Sequence, residues 1–381
     1  MNAAFSALAA DDLRDRSIFS LSSGQKQKIA IASALAVDPE LMVMDEPSAN
    51  LDNEACRMLA DAVAALKRNG RTVVVAEHRL SYLMGVADRV VVMERGRVVG
   101  ELSPDEARAL SWESAAERGL RLPSLVNVPL NQLSGGEGSV REAPDFEARG
   151  LRVSYGRRQV LGEVGFSCVG MPGVTAIIGG NGAGKTTLVR TLCGLKREAE
   201  GEVCIGGRPS EAAKRRELSS FVMQDADYQL FTESVEAEVL FARTIKPAVR
   251  KRADAALAAL GLDGFRTAHP LTLSGGQKQR LTIACALADT SPLVFFDEPT
   301  SGLDGGTMRE VARLVRSLAR EGRRVFVVTH DFEFVAAACD RVLAVRAGVI
   351  ADDFAVCEKN RERLCGWLGL GSGGGAEDDE G

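Results

Sequence analysis

The chain has 381 residues, of which 45% are hydrophobic and 26% are charged, and its formal net charge is −5. This composition predicts a globular protein of about two domains. The acidic balance argues against nucleic acid as the main partner, and no apolar run is long enough to cross a bilayer. The eight cysteines are scattered without a CxxC motif, which indicates reduced thiols in a cytosolic protein.

The first predicted elements recur further along the chain at a fixed offset. LSSGQKQKIAIASALA from Leu21 matches LSGGQKQRLTIACALA from Leu273, and LMVMDEP from Leu41 matches LVFFDEP from Leu293. Self-similarity at a fixed spacing predicts two copies of one domain. The matched polar positions are Asp45, Glu46, Asp52 and His78 in the first copy, and Asp297, Glu298, Asp304 and His330 in the second.

The two copies are not equally complete. Residues 1–118 read as a partial copy, residues 119–145 as a linker rich in Pro and Gly, and residues 146–358 as a full copy. Residues 359–381 form a tail whose Gly-rich, acidic end, GSGGGAEDDEG, is expected to be disordered. LSGGEG from Leu133 imitates the repeated motif but has no helix-forming run or acidic pair behind it, so it is interpreted as linker.

A phosphate-binding loop is predicted in the second copy. VTAIIGG is a strand that ends in glycines and leads into the helix KTTLVRTLCGL, which fits the GxxxxGK[ST] pattern. Glycines let backbone N–H groups surround phosphate oxygens, and the helix N-terminus favours negative charge. Lys185 would reach the β- and γ-phosphates, and Thr186 would ligate Mg²⁺. The predicted loop residues are Gly179, Asn181, Gly182, Gly184, Lys185, Thr186 and Thr187.

Further polar motifs follow in the same copy. LSGGQ opens a helix whose capping serine and glycines expose N–H groups to an anion, and its polar members are Ser274, Gly275, Gly276 and Gln277. Asp297 ends a strand and suits Mg²⁺ or its water shell, and Glu298 suits a general base that polarises the attacking water. His330 follows the apolar strand RVFVVT and suits a hydrogen bond to a γ-phosphate.

Together these motifs resemble those of the ATP-binding cassette (ABC) ATPases, over nearly the whole chain. The resemblance implies an α/β P-loop fold with a helical subdomain, in two copies of which the first is incomplete. It also implies that Tyr155 stacks on adenine, that Gln224 senses Mg²⁺ and the transport partner, and that Ser301–Asp304, with Asp52 in the first copy, links the two ATP sites. The implied cofactors are ATP and Mg²⁺, the latter held by Thr186, Gln224 and Asp297, and His330 is the implied switch histidine.

A finer resemblance is to the ATPase subunits of energy-coupling factor (ECF) transporters for vitamins and metals. It is carried by QDADYQLFTESVEAEVLF, which starts at Gln224. This family also includes chains with two cassettes. The resemblance implies an importer ATPase at the cytoplasmic face of the membrane, bound to separate integral membrane subunits. A second cassette chain or a homodimer is a further partner to consider, and nucleic acid is not expected.

ATP sites in the ABC family are composite, which predicts an asymmetry in this chain. The LSSGQ and LSGGQ segments at Leu21 and Leu273 are called the signature motifs. The first copy's signature, whose polar members are Ser22, Gly24 and Gln25, would face the second copy's phosphate loop together with Asp297, Glu298 and His330. The opposite site has Asp45, Glu46 and His78 but no phosphate loop, because the counterpart of Lys185 would lie before Met1, so that site is expected to be empty. Ser23 replaces the glycine seen at Gly275 and is expected to crowd the backbone slightly.

Three explanations of the short first copy stay open at this stage. The natural start lies upstream, or the chain is a degenerate half-site ATPase, or two chains pair through their full copies. The first is favoured, because the partial copy keeps Asp45, Glu46 and His78 in register.

Three functions compete. They are a transport ATPase, a soluble paired-cassette ATPase associated with ribosomes or DNA, and a nucleotide-binding regulator without turnover. The second class usually carries a long charged linker, zinc-binding cysteines or a coiled-coil insertion, and the sequence shows none of these. An intact Glu298 argues against the third.

Overall fold

A computed structural model describes residues 5–6, 10–21, 23–37, 39–49, 51–130, 145–170, 173–241 and 246–370. For residues 23, 24, 27 and 28, only the backbone is described. The first copy contains α1 (Ser23–Leu35), β1 (Leu41–Asp45), α2 (Asn53–Arg68), β2 (Thr72–Ala76), β3 (Val90–Glu94) and β4 (Arg97–Leu102). β1 and β2 pair in parallel, and β3 and β4 form an antiparallel hairpin.

The core of the first copy lies between α2 and one face of β1. Leu59 and Val63 of α2 cluster with Met42 and Met44 of β1, and all four side chains are buried. Side chains alternate across a strand, so the intervening Val43 points the other way and is 67% exposed. The described part of this copy therefore has a core on one face of its two-stranded sheet.

A connector made of short elements leaves the first copy and packs on the second. It contains α3 (Pro104–Arg108), α4 (Trp112–Glu117) and a 3₁₀ turn at Leu125–Asn127. Ser103 begins α3 with a capping box, in which its hydroxyl accepts from Glu106 N and the Glu106 side chain accepts from Ser103 N. The buried connector residues Ala115, Leu122 and Val128 belong to the large core of the second copy. The predicted linker thus begins inside a packed segment, and LSGGEG from Leu133 lies outside the described residues.

The second copy is built around a six-stranded sheet. Its strands are β7 (Val174–Ile178), β10 (Ser219–Val222), β11 (Leu293–Asp297), β12 (Arg324–Val328), β13 (Arg341–Arg346) and β14 (Val349–Ala355). The order is β10-β11-β12-β7-β13-β14, and only β14 runs antiparallel to its neighbour within this sheet. All residues of β7, β11 and β12 are buried, as expected for parallel strands covered on both faces.

An antiparallel sheet covers one face of the central sheet. It consists of β5 (Phe146–Tyr155), β6 (Arg158–Cys168), β8 (Glu200–Ile205) and β9 (Arg208–Pro209), in the order β6-β5-β8-β9. An aromatic cluster joins the two sheets: Phe295 stacks on Phe326 with ring centroids 5.2 Å apart, and Phe146 lies 5.2 Å from the same ring.

Helices complete the second copy. They are α5 (Lys185–Leu192), α6 (Ala212–Glu217), α7 (Val235–Leu240), α8 (Pro247–Ala259), α9 (Gly275–Ala288), α10 (Gly305–Arg320), α11 (Phe332–Ala338) and α12 (Arg361–Trp367). α7, α8 and α9 pack on one another as a helical unit, and the LSGGQ motif lies at the start of α9. In the described residues, no helix has the length and apolarity that a membrane crossing requires.

The packed structure continues beyond residue 358, where the sequence placed the start of the tail. Leu364 of α12 and Leu368 are buried in the core of the second copy. Arg361 anchors the helix to the connector, since its Nη2 donates to Val128 O at 2.6 Å. The segment GSGGGAEDDEG lies outside the described residues.

Candidate ATP site

The predicted phosphate loop lies between β7 and α5, and its backbone requires glycine at two positions. Gly179 has φ +145°, and a Cβ there would lie 2.2 Å from Val345 O. Gly184 has φ +102° and precedes the first residue of α5, and a Cβ there would lie 2.9 Å from Leu161 Cδ2. These conformations are strained for other residues. The loop therefore brings the N-terminus of α5 and its unpaired N–H groups to one point, as an anion site requires.

Lys185 and Thr186 begin α5 and turn toward this loop and β11. Lys185 Nζ donates to Gly179 O at 2.7 Å and to Gly180 O at 3.0 Å. Thr186 Oγ1 donates to Asp297 Oδ1 at 3.4 Å. The structure thus brings the predicted phosphate-binding lysine and two predicted Mg²⁺ ligands together.

Asp297 is a buried carboxylate at the end of β11. Burial raises its pKa from 3.8 to about 6, and the charge of Glu298 adds to the rise. In the described residues, no group of three or more His, Cys, Asp or Glu side chains could hold a metal ion. A Mg²⁺ ion at Asp297 and Thr186 would therefore take its other ligands from the Gln224 amide, phosphate oxygens or water.

Glu298 and His330 form a close pair beside this carboxylate. His330 Nδ1 lies 2.9 Å from Glu298 Oε1, and both side chains are largely buried. Glu298 has φ +51°, an uncommon value for a residue with a Cβ. Its backbone N–H donates to Val328 O at 2.9 Å, which ties it to the end of β12. A carboxylate held in this way could polarise a water molecule above the loop.

The signature motif of the second copy caps α9. Ser274 Oγ accepts from Gln277 N, and Ser274 N donates to Gln277 Oε1 at 2.8 Å, which completes a capping box. A Cβ at Gly275 would meet no atom within 4 Å. A serine side chain at Gly275 would therefore not crowd the second copy, and the expectation of slight crowding at Ser23 in the first copy stays a prediction.

A cavity of about 990 Å³ separates the two copies. Its lining includes Asp45, Glu46 and His78 of the first copy and Ser274–Gln277 of the second. Its volume is in the range of small-molecule sites. Thr186 and Asp297 also reach this cavity, as does the exposed residue Gln224.

The remaining predicted residues have varied surroundings. Tyr155 is half-exposed, and Lys196 Nζ lies 4.1 Å from its ring centroid. Asp304 caps α10 by accepting from Thr307 N, and Asp52 caps α2 by accepting from Ala55 N. Ser22 lies outside the described residues, the backbone of Gly24 belongs to α1, and Gln25 is partly exposed.

The sequence did not single out a buried ionic cluster next to His330. It consists of Arg121, Asp331 and Glu333, and Thr300 contacts it. The repeat offered one signal, because Arg79 and Asp331 occupy matched positions directly after the matched histidines His78 and His330. The change from a positive to a negative charge at this position could have drawn attention to Asp331. Nothing in the motif pattern pointed to Arg121.

Comparisons with known proteins agree with this geometry. The family model for ABC transporters matches residues 1–49 and 168–301. A Treponema denticola protein described as an ABC transporter ATP-binding protein is 40% identical over 362 residues, which cover 93% of this chain and 72% of that protein. A Bacillus subtilis protein described as the HMP/thiamine import ATP-binding protein YkoD is 29% identical over 380 residues, covering 93% of this chain and 69% of its own.

The fold also matches solved structures. A structure of ribosome-bound archaeal Pelota and ABCE1 contains a chain that aligns with 96% of this one and with 61% of its own length. The TM-score is 0.72 at 23% identity, so this likeness concerns the fold alone. The phosphate loop, the acidic pair and the matched sequences lead to one conclusion: the chain belongs to the ABC transporter ATP-binding proteins and is an ATPase of that family.

Proposed function

We propose that the chain is the ATP-hydrolysing subunit of an ECF-type importer that drives separate integral membrane subunits from the cytoplasmic face of the membrane. The likeness to YkoD, which is described as an import ATP-binding protein, supports the import direction. The stretch that starts at Gln224 supports the ECF type. Nucleic acid is not among the proposed partners.

The proposed chemistry is centred on the second copy. Gly179, Asn181, Gly182, Gly184 and Thr187 surround the phosphates, Lys185 neutralises their charge, and Thr186, Asp297 and Gln224 hold Mg²⁺. Glu298 polarises the attacking water, and the contact of His330 Nδ1 with Glu298 leaves its Nε2 for the γ-phosphate. Tyr155 stacks on adenine, either after Lys196 moves away from the tyrosine ring or while Lys196 stays in contact with it.

The arrangement of the copies supports a composite site. The composite site is supported by the cavity between the copies, which is lined by Asp45 and Glu46 of the first copy and by the second-copy signature at Ser274–Gln277. If the two copies pack with approximate two-fold symmetry, each contact between them is repeated. The first-copy signature would then face Lys185 and Glu298 in the same manner.

The observation that carries the transport proposal is an exposed aromatic surface next to Gln224. Tyr228 is 81% exposed, and Phe231 and Phe241 meet edge to face with centroids 4.7 Å apart while both remain mostly exposed. Exposed aromatic groups clustered beside a site mark a protein interface. We assign this surface to the membrane subunits.

A pull-down tests this assignment. The tagged chain is incubated with detergent-solubilised membranes of the organism that encodes it, and a multi-span membrane protein is expected to co-purify. Phe231→Glu is expected to lose that protein, while Val126→Glu, which charges a still more exposed apolar position elsewhere, retains it. Recovery of ribosomal subunits or DNA instead would favour the soluble paired-cassette ATPase. Lys185→Ala tests the ATP site separately and is expected to abolish ATP binding.

A further inference from the structure

The connector between the two copies places one buried arginine next to the ATP site. The side chain of Arg121 is 3% exposed. Its Nη2 donates to Asp331 Oδ2, and its Nε lies 3.1 Å from Glu333 Oε1. Leu122 N donates to Glu333 Oε2 at 3.0 Å. A buried charge is costly unless it is paired, so these contacts fix the connector against the start of α11.

Asp331 joins this arginine to both parts of the catalytic pair. It directly follows His330, and its Oδ2 also accepts from Thr300 Oγ1 at 2.9 Å. Thr300 lies two residues after Glu298. Burial favours the neutral form of Asp331, but the charge of Arg121 and the hydrogen bonds outweigh it and lower its pKa. An ionised Asp331 therefore holds the histidine loop and the loop after β11 together.

The same connector also contacts the loop that ends at Asp304. Gly119 O accepts from Gly305 N at 3.0 Å, and Leu120 O accepts from Arg309 Nη2 at 2.8 Å. A Cβ at Gly305 would lie 2.1 Å from Leu120 O, so the approach requires glycine. Residues 119–122 thus contact the start of α11, which follows His330, and the start of α10, which follows the loop after Glu298.

The first copy reaches the same point. Asn53 Nδ2 donates to His330 O at 3.3 Å. Arg79 Nη2 donates to Asn53 Oδ1, and the charge of Arg79 acts on Asp331 as well. Residues of the first copy therefore contact the backbone of His330 and act on the charge of the next residue, Asp331.

We propose that Arg121 is a positioning residue for ATP hydrolysis, which acts through Asp331 to hold His330 and the loop after Glu298 in register. The connector thereby couples the packing of the two copies to turnover at the second copy. This inference rests on the roles proposed for Glu298 and His330. Arg121 itself touches neither of them.

A comparison of two buried arginines tests the proposal in the full chain. Arg121→Met removes the charge that pairs with Asp331. Arg215→Met is the matched control, because Arg215 is also fully buried and pairs with Glu198 at 2.6 Å, and its further hydrogen bonds go to Ser210 O and Thr191 O rather than to Asp331 or Thr300. Both variants are expected to lower the melting temperature. Only Arg121→Met is expected to lower kcat per folded molecule, by about 10- to 100-fold, with the KM for ATP within about twofold of wild type.

Thr300→Val keeps the experiment decisive if Arg121→Met does not fold. It removes one hydroxyl from Asp331 without creating an unpaired charge, and it is expected to lower kcat several-fold at unchanged KM. Equal kcat in Arg121→Met and Arg215→Met, or an unchanged kcat in Thr300→Val when Arg121→Met does not fold, would overturn the proposal. Lys185→Ala distinguishes a failure of the positioning proposal from a failure of the proposed ATP site. Loss of turnover in Lys185→Ala shows that the ATP site itself works as proposed.

Discussion

The two copies share local structure and differ in what surrounds it. Glu46 and Glu298 both have positive φ values, of 43° and 51°. Their N–H groups donate at 2.9 Å to Ala76 O and Val328 O, which are also matched in the repeat. Local conformation at these turns therefore follows the repeated sequence closely.

The neighbours of the matched strands are not shared. β11 lies between β10 and β12 and is completely buried, whereas β1 pairs with β2 and is buried on alternate residues. His330 and Glu298 are 2.9 Å apart with 18% and 10% of their side chains exposed. The matched pair, His78 and Glu46, is 3.5 Å apart with 41% and 42% exposed. The same residues thus have different electrostatic surroundings, and matched substitutions can measure the difference.

The largest expected difference concerns turnover. Glu298→Gln keeps the shape of the side chain but removes the base, so ATP hydrolysis should fall by roughly 10²- to 10⁴-fold. Glu46→Gln in this 381-residue chain should change turnover little, because its copy contains no phosphate-loop sequence. Steady-state phosphate release measures both, and intact ATP binding is the control for Glu298→Gln. Equal loss in the two variants would show that Glu46 serves a working site.

A second pair of substitutions compares the two strands as core elements. Phe295→Ala removes a fully buried ring that stacks on Phe326 and should lower the free energy of unfolding by about 3–5 kcal/mol. Val43 occupies the matched position and is 67% exposed, so Val43→Ala should cost less than about 0.5 kcal/mol. Denaturant titration measures both. A comparable loss for Val43→Ala would mean that this face is covered in solution.

The third pair compares the acids that end the strands. Since the pKa of Asp297 is raised from 3.8 to about 6, the folded state binds its proton more tightly than the unfolded state does. The free energy of unfolding therefore falls as pH rises from about 4 to about 6, and the full penalty is present above pH 6. Asp297→Asn should stabilise the Mg²⁺-free protein at pH 7.5 by about 1–3 kcal/mol.

The gain from Asp297→Asn should vanish below about pH 4, where the native carboxyl is protonated in both states. Asp45→Asn is the matched control, and it should change stability little because the Asp45 side chain is exposed. Thermal unfolding in EDTA at several pH values measures both. A destabilising Asp297→Asn at pH 7.5 would contradict the assignment of a buried carboxylate whose burial outweighs its favourable contacts.

The sequence predicted the elements and motifs that depend on local chemistry. The phosphate loop and the capping serine at Ser274 follow from the residue types at fixed spacing, and the structure has both. The ionic cluster of Arg121 with Asp331 depends on how the connector packs across the second copy, and no local pattern encodes that. The helix at Arg361–Trp367 was not predicted, because the Gly-rich end of the chain led to the assignment of residues 359–381 as a tail. Two core residues in that segment, Leu364 and Leu368, were therefore not recognised.

The smallest expected effect concerns the one difference between the two signature motifs at their start. Gly275→Ser copies Ser23 into the second copy, and a Cβ there meets no atom within 4 Å, so the free energy of unfolding should change by less than about 0.5 kcal/mol. Gly184→Ala is the contrasting control, because its φ is +102° and its Cβ would lie 2.9 Å from Leu161 Cδ2. In the proposed composite site the first-copy signature serves Lys185 and Glu298, so turnover at Glu298 should also be unchanged by Gly275→Ser. A loss of turnover with normal stability would instead mean that the second-copy signature serves an active site, and that a second chain supplies its phosphate loop.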